Sequence, residues 1–268
     1  MKTASLGMYD HPAQHAANDR LWAEIARILR ARGVRDVPPA LDRSRPVQDI
    51  WRDPKLLLGQ VCGYPLARDA TLALRVLALP IYDAPGCVGD THCSFIVARR
   101  SDGLAALEDY RSRRAAINSA DSNSGMNLFR AAVAEIAGVG AFFESVQQTG
   151  SHRASVAAIV TGEADIAAID AVTFSALASY APELTRPLNV IARTAPSPTL
   201  PFVTSRTTDI ETVAALQIAL AQALADPGLA TARDALFLKG ATPAGIDRFA
   251  PLLQLERDAA LAGYPDLR

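Results

Sequence analysis

The sequence predicts an α/β protein of two lobes, and two observations carry that prediction. Short apolar runs alternate with amphipathic stretches along most of the chain, the pattern of strands feeding helices in a parallel sheet. The 268 residues, 50% of them hydrophobic, are also enough for two lobes of roughly 100 to 150 residues each.

The elements follow in order. TASLGM is expected as a first strand, and Asn18 to Arg32 as a helix capped by Asn18 and stopped by Gly33. Leu21, Trp22, Ile25, Ile28 and Leu29 share one face of that helix. LLLGQVC and LRVLALPIY read as buried strands, with YPLARDATLA a short helix or turn between them. A second series opens at HCSFIVARRS. Within it, AAINSA, SVQQTG and ADIAAID are strand candidates, each followed directly by a helix candidate: SGMNLFRAAVAEIAG, SHRASVAAIVTG and VTFSALASYA. LNVIARTAPSPTLPFVTSR gives two strand-like runs split by three prolines. DIETVAALQIALAQALADP and GLATARDALFLKG read as helical. The lobes are expected at 1–85 with 195–268, and at 86–194, linked near 82–93 and 186–200.

Composition excludes several classes. With 27 basic and 28 acidic side chains the net charge is -1, and no block of five like charges occurs, so neither nucleic acid nor an acidic membrane surface is an expected partner. No apolar stretch reaches the roughly 18 residues of a membrane span. MKTASLGMYDHP lacks the apolar core of a secretory signal, so the chain is expected to be cytosolic or to begin after an export signal. Cys62, Cys87 and Cys93 show no metal or redox spacing. Cys87 and Cys93 could close a short loop in an oxidising compartment; three reduced thiols are the alternative. No metal and no cofactor is expected.

Chemistry gathers in the second lobe. Ligands of open α/β sheets bind beyond the carboxyl ends of the strands, and here those loops are ADSNSG, TGSH and IDAV. They present Ser122, Asn123, Ser124, Ser151, His152 and Asp170. A helix N-terminus offers unpaired N–H groups and partial positive charge, and short hydroxyl side chains add donors, so an anion site needs no Lys or Arg. Gly125 would let the backbone approach the anion, and His152 would add a donor that becomes cationic near neutral pH. Each serine or asparagine is equally suited to a plain helix cap. It is the repetition in two neighbouring loops that favours a site.

DSNSG, FFESVQQTGSH and ASVAAIVTGEADIAAID together resemble the phosphonate- and phosphite-binding proteins of ABC transporters, over roughly residues 76–205. The resemblance implies a type II periplasmic-binding-protein fold with the ligand cleft between the lobes. In that family an S-T-S-G loop and a later G-x-H grip the phosphonate oxygens. Ser122, Asn123, Ser124 and Gly125 match the loop, with asparagine where threonine is usual, and His152 matches the histidine. Asp170 falls where a polar residue faces the cleft. Tyr9, Tyr64 and Tyr82 are expected to line it from the first lobe, and each could equally be a packing residue.

The reading is a non-catalytic, monomeric solute-binding protein that closes by hinge motion on a small oxyanion and works with an ABC permease. The oxyanion would be a phosphonate, a phosphite or a phosphate ester, and an exported chain would act in the periplasm. Two alternatives stay open on the same fold. One is a cytosolic enzyme using His152, Asp170 or Cys62 as acid, base or nucleophile. The other is a ligand sensor.

Overall fold

The computed structural model describes residues 2–138 and 140–268. Its principal strands, in chain order, are β1 (Thr3–Ala4), β2 (Leu56–Gln60), β3 (Leu74–Tyr82), β4 (Ser94–Arg99) and β5 (Arg114–Ile117). They continue as β6 (Ser145–Gln148), β7 (Ile166–Asp170), β8 (Leu188–Arg193), β9 (Phe202–Ser205) and β10 (Leu238–Thr242). The helices used below are α1 (His15–Ala31), α2 (Gly63–Arg68), α3 (Leu128–Ala134), α4 (His152–Thr161), α5 (Ala171–Tyr180), α6 (Ile210–Ala225) and α7 (Ala250–Leu261).

The chain divides into two compact units. The first holds Met1–Asp83, Val88–Asp90 and Pro198–Phe249; the second holds Ala84–Cys87, Thr91–Ser197 and Ala250–Arg268. The C-terminal region was expected to return wholly to the first lobe, yet Ala250–Arg268 belongs to the second unit. The reason is a polar seam. Asn127 Nδ2 donates to the Leu252 carbonyl (3.1 Å) and Arg130 Nη1 to the Pro265 carbonyl (2.7 Å), tying the C-terminal segment to the start of α3.

In the first unit the sheet order is β1-β2-β9-β3-β10, with β1 parallel to β2 and with β9 and β10 antiparallel to their neighbours. The sheet is therefore mixed, because the strand that follows the prolines returns in the opposite sense. Strand β10 lies in a stretch expected to be helical. Lys239 and Gly240 conceal any alternation, and the segment is a strand because its backbone pairs with β3 from Leu238↔Tyr82 to Thr242↔Leu79.

Strand β1 is only two residues long, and a 3-10 turn at Gly7–Tyr9 replaces the rest of the expected first strand. Helix α1 starts at His15, so Asn18 is not its cap. Asn18 is buried within the helix and donates to the Tyr9 carbonyl and to Asp10 Oδ1, both at 2.9 Å. The apolar face is as expected, with Leu21, Trp22, Ile25, Ile28 and Leu29 all buried. Gly33, at φ +81, allows the left-handed turn that ends it.

In the second unit the order is β8-β4-β7-β5-β6, with β7, β5 and β6 mutually parallel and β4 antiparallel to both of its neighbours. Phe95, Val97, Val156, Ile159, Ile169 and Leu177 form its core. Asp165, at the entry to β7, accepts from Arg99 Nη2 (2.6 Å), Arg114 Nη2 (2.8 Å) and the Arg114 backbone N–H (2.9 Å). Burial alone would raise its pKa, but these donors hold the carboxyl far below the usual range. The cluster pins β4, β5 and β7 together at the end opposite the loops that carry the candidate residues.

Candidate ligand-binding site

The site is built at the carboxyl ends of β5, β6 and β7. Parallel pairing of β5 with β6 continues into the loops, since Thr149 N donates to the Ile117 carbonyl and Gly150 N to the Asn118 carbonyl, both at 2.9 Å. Gly150 sits at φ +91, which only a glycine adopts without strain, and this turn delivers Ser151 and His152 to the start of α4. The loop after β5 opens instead into a π-helical turn, Asn123–Asn127, marked by the Asn127 N–H to Ser122 carbonyl bond of 2.9 Å. Such turns are rare and recur at functional sites. They also leave the opening N–H groups without partners inside the helix.

Ser122 Oγ accepts from Gly125 N (3.0 Å), and Ser151 Oγ accepts from Ala154 N (3.1 Å). Both serines are caps, as their sequence position also allowed. Asn123 Nδ2 donates to Ser197 Oγ (3.0 Å), and Asn123 Oδ1 accepts from Asn127 Nδ2 (3.3 Å). Threonine, with one hydroxyl, could not span those two partners, which gives asparagine a structural reason to stand there. Ser124 Oγ lies 2.9 Å from His152 Nε2 and joins the two loops; its carbonyl accepts from Ser94 Oγ at 2.8 Å.

Gly125 has no left-handed backbone. A Cβ there would sit 1.9 Å from Asn118 Oδ1 and 3.0 Å from His152 Cε1. The Asn118 amide occupies that space, so any larger residue must displace it. Ser122, Asn123, Ser124, Gly125, Ser151 and His152 are thus brought together, and Asn118, which sequence reading missed, joins them. Its only signal was its position directly after a strand.

His152 differs from expectation. Its Nδ1 atom is buried without an aligned partner, although the residue keeps some exposure. Burial, with a smaller push from His92, lowers its pKa to about 4 against the opposing pull of Asp170. It is therefore neutral near neutral pH, not the cationic donor expected.

Asp170 is buried and directed inward. Oδ1 caps α5 by accepting from Val172 N (2.9 Å) and Thr173 N (3.0 Å), while Oδ2 lies 2.9 Å from His92 Nδ1. That approach is close but out of line for a hydrogen bond. Burial pushes the Asp170 carboxyl up, yet His92, His152 and the Thr173 N–H outweigh it and hold the pKa at about 2. His92 is a second residue that sequence reading missed.

In the first unit, Tyr9 and Tyr82 meet edge to face with centroids 5.4 Å apart. With Leu6, Gln60 and Phe202 they line a cavity of about 20 Å³, and Gln60 Nε2 donates to the Tyr82 hydroxyl at 3.1 Å. Tyr64 does not line it. It lies on α2, fully buried, with the Arg68 guanidinium 5.6 Å from its ring centroid. Cys62, just before α2, is buried, and Cys62, Cys87 and Cys93 are not joined in disulfides. Burial, then the nearby Asp170 charge, pushes the Cys87 thiol up to about 12.

Solved structures of the same fold are numerous. PhnD1 from Prochlorococcus marinus, in complex with methylphosphonate, superposes with a TM-score of 0.77 at 14% identity, covering 97% of this chain and 98% of that one. A binding-protein component of an ABC phosphonate transporter from Pseudomonas aeruginosa gives 0.74 at 19% identity, covering 91% and 82%. XAC2383 from Xanthomonas citri bound to ATP gives 0.69 at 18% identity, covering 96% of each chain. These likenesses identify the mixed α/β fold of type II periplasmic binding proteins. No curated protein matches the sequence. The family described as ABC transporter, phosphonate, periplasmic substrate-binding protein matches residues 57–254. The chain belongs to that family of substrate-binding proteins of phosphonate ABC transporters.

Proposed function

We propose that this protein captures a small oxyanion (a phosphonate, a phosphite or a phosphate ester) at the helix starts of its second unit and hands it to an ABC permease. The observation that carries the reading is the joining of two donor-rich helix starts through Ser124 and His152 at 2.9 Å, beside a glycine against which the Asn118 amide packs. The starts of the π-helical turn and of α4 supply fixed partial positive charge, and charge-assisted hydrogen bonds to an anion are stronger than neutral ones. Members of the family bind rather than convert their ligands, and this chain is read the same way.

The test is a thermal-shift and calorimetric panel of methylphosphonate, phosphite, phosphate and sulfate on the intact chain. Stabilisation by one or more of the phosphorus oxyanions is expected, and Ser124→Ala should weaken it at least tenfold, about 1.4 kcal/mol. No response to any of them defeats the proposal. Chemical turnover of a bound ligand, seen by mass spectrometry, would favour an enzyme instead.

A further inference from the structure

We infer that Arg130 supplies the positive charge that holds the oxyanion, acting from behind the serine loop as a positioning residue; this rests on the proposed oxyanion reading of the same site. The loops ADSNSG, TGSH and IDAV contain no lysine or arginine. Arg153, which follows His152, is exposed, and solvent screens an exposed charge.

Arg130, on α3, is only 4% exposed. Its hydrogen bonds go to neutral oxygens: Nη1 donates to the Pro265 carbonyl (2.7 Å) and Nη2 to Asn127 Oδ1 (2.8 Å). Nε is buried and has no partner. Among the described residues no carboxylate pairs with it. The buried carboxylates are treated differently: Asp165 meets Arg99 and Arg114, and Asp170 meets two backbone N–H groups. Arginine keeps its charge when buried, and a desolvated charge without an opposite partner is costly. An anion bound nearby offsets that cost, so the ligand is the counter-ion that the fold leaves out.

The helix carries this charge toward the site. Arg130 lies five residues beyond Gly125, roughly 8 Å along a helix axis. Helical side chains lean toward the N-terminus, and the bond to Asn127, three residues back, shows that Arg130 does so. The guanidinium therefore stands within about 10 Å of the opening of the π-helical turn. Two amides lie in line between them. Asn127, fully buried, accepts from Arg130 and donates from Nδ2 to Asn123 Oδ1 (3.3 Å) as well as to the Leu252 carbonyl. Asn123 Nδ2 in turn donates to Ser197 Oγ. Each amide turns its positive end away from Arg130, so the two dipoles extend the cation's field along the turn. At roughly 10 Å and an effective dielectric constant of about 20, one such charge changes the affinity for a monoanion on the order of tenfold, and for a dianion on the order of a hundredfold.

The experiment is titration calorimetry of methylphosphonate, phosphite and phosphate with the intact protein and three variants, each first checked for cooperative thermal unfolding without ligand. Arg130→Lys keeps the charge but not the planar fork, Arg130→Gln keeps an amide donor but not the charge, and Arg130→Met keeps neither. The lysine variant should bind within about threefold of the wild type, and the glutamine and methionine variants at least about tenfold more weakly and equally so. A mere tether for the C-terminal segment would instead leave glutamine above methionine and lysine as weak as methionine. Glutamine binding like the wild type, glutamine well above methionine, or lysine as weak as either neutral variant overturns the inference and leaves the oxyanion reading intact. Any two variants that fold are enough to decide. Binding of none of the three ligands by the wild type overturns both readings.

Discussion

Replacing Gly125 by alanine tests the packing on which the site depends. The new Cβ would lie 1.9 Å from Asn118 Oδ1, 2.9 Å from its Cγ and 3.0 Å from His152 Cε1. The first two distances are far inside contact, so the Asn118 amide must leave its place. Forced rearrangement of this kind costs about 1–3 kcal/mol. Alanine returns about 0.5–1 kcal/mol, because glycine loses more chain entropy in a helical turn. The expected net loss is about 1–2 kcal/mol.

Asn118→Ala removes the two nearest of these atoms, leaving the His152 contact at 3.0 Å. In that background, Gly125→Ala should be neutral, or stabilising by up to about 1 kcal/mol. The two substitutions should therefore couple by about 1.5 kcal/mol, read from urea unfolding of the four proteins in a double-mutant cycle. Additivity within about 0.5 kcal/mol would show that Asn118 does not hold the space at Gly125.

Two further outcomes follow from buried charge. Asp165→Asn should cost about 2 kcal/mol by weakening the charge-assisted bonds from Arg99 and Arg114, measured by urea unfolding. Since the folded Asp165 pKa is depressed, its contribution is present above the unfolded value near ~3.9 and is lost as pH falls below it, so the variant's stability should fall less steeply in acid. His152 has the opposite charge type: its folded pKa of about 4 lies below the unfolded value near ~6.5, so the unfolded chain takes up a proton that the fold refuses. Ligand-free melting temperature should drop as pH falls across that interval and drop less in His152→Gln; parallel profiles would mean the ring is not held neutral.

Which features were legible depended on how local their causes were. Strand β3 could be read to the residue because LRVLALPIY is nine residues of apolar sequence bounded by turn signals. Helix α1 showed its buried face but not its start, because Asn18 looks like a cap and is instead fixed by Tyr9 and Asp10 earlier in the chain. Strand β10 was invisible, since its pairing with β3 lies in backbone atoms that sequence does not distinguish. In the site, the serine loop and His152 were legible from their repeated helix-start chemistry. Asn118 and His92 were not, because each acts through a contact that strand and helix patterns do not show: Asn118 over Gly125 within one loop, His92 against Asp170 across 78 residues. Asp170 was noticed, but its direction could not be read from a strand end.

That inward turn of Asp170 also bears on how the proposed anion site would tolerate a buried carboxylate. An acid facing the ligand would repel it, and a desolvated acid without partners would simply protonate. Here two backbone N–H groups from α5 and the His92 ring surround the carboxylate, so its charge is compensated within a few ångströms. Its remaining influence falls on His152, whose protonation it favours against the effect of burial. The polar groups of the helix starts are likewise already engaged: Ser122 and Ser151 with backbone N–H groups, Asn123 with Ser197, Ser124 with His152. A ligand would then meet side chains held in one orientation, so selectivity would come from a fixed pattern of hydrogen-bonding groups and not from side chains reordering around whatever enters.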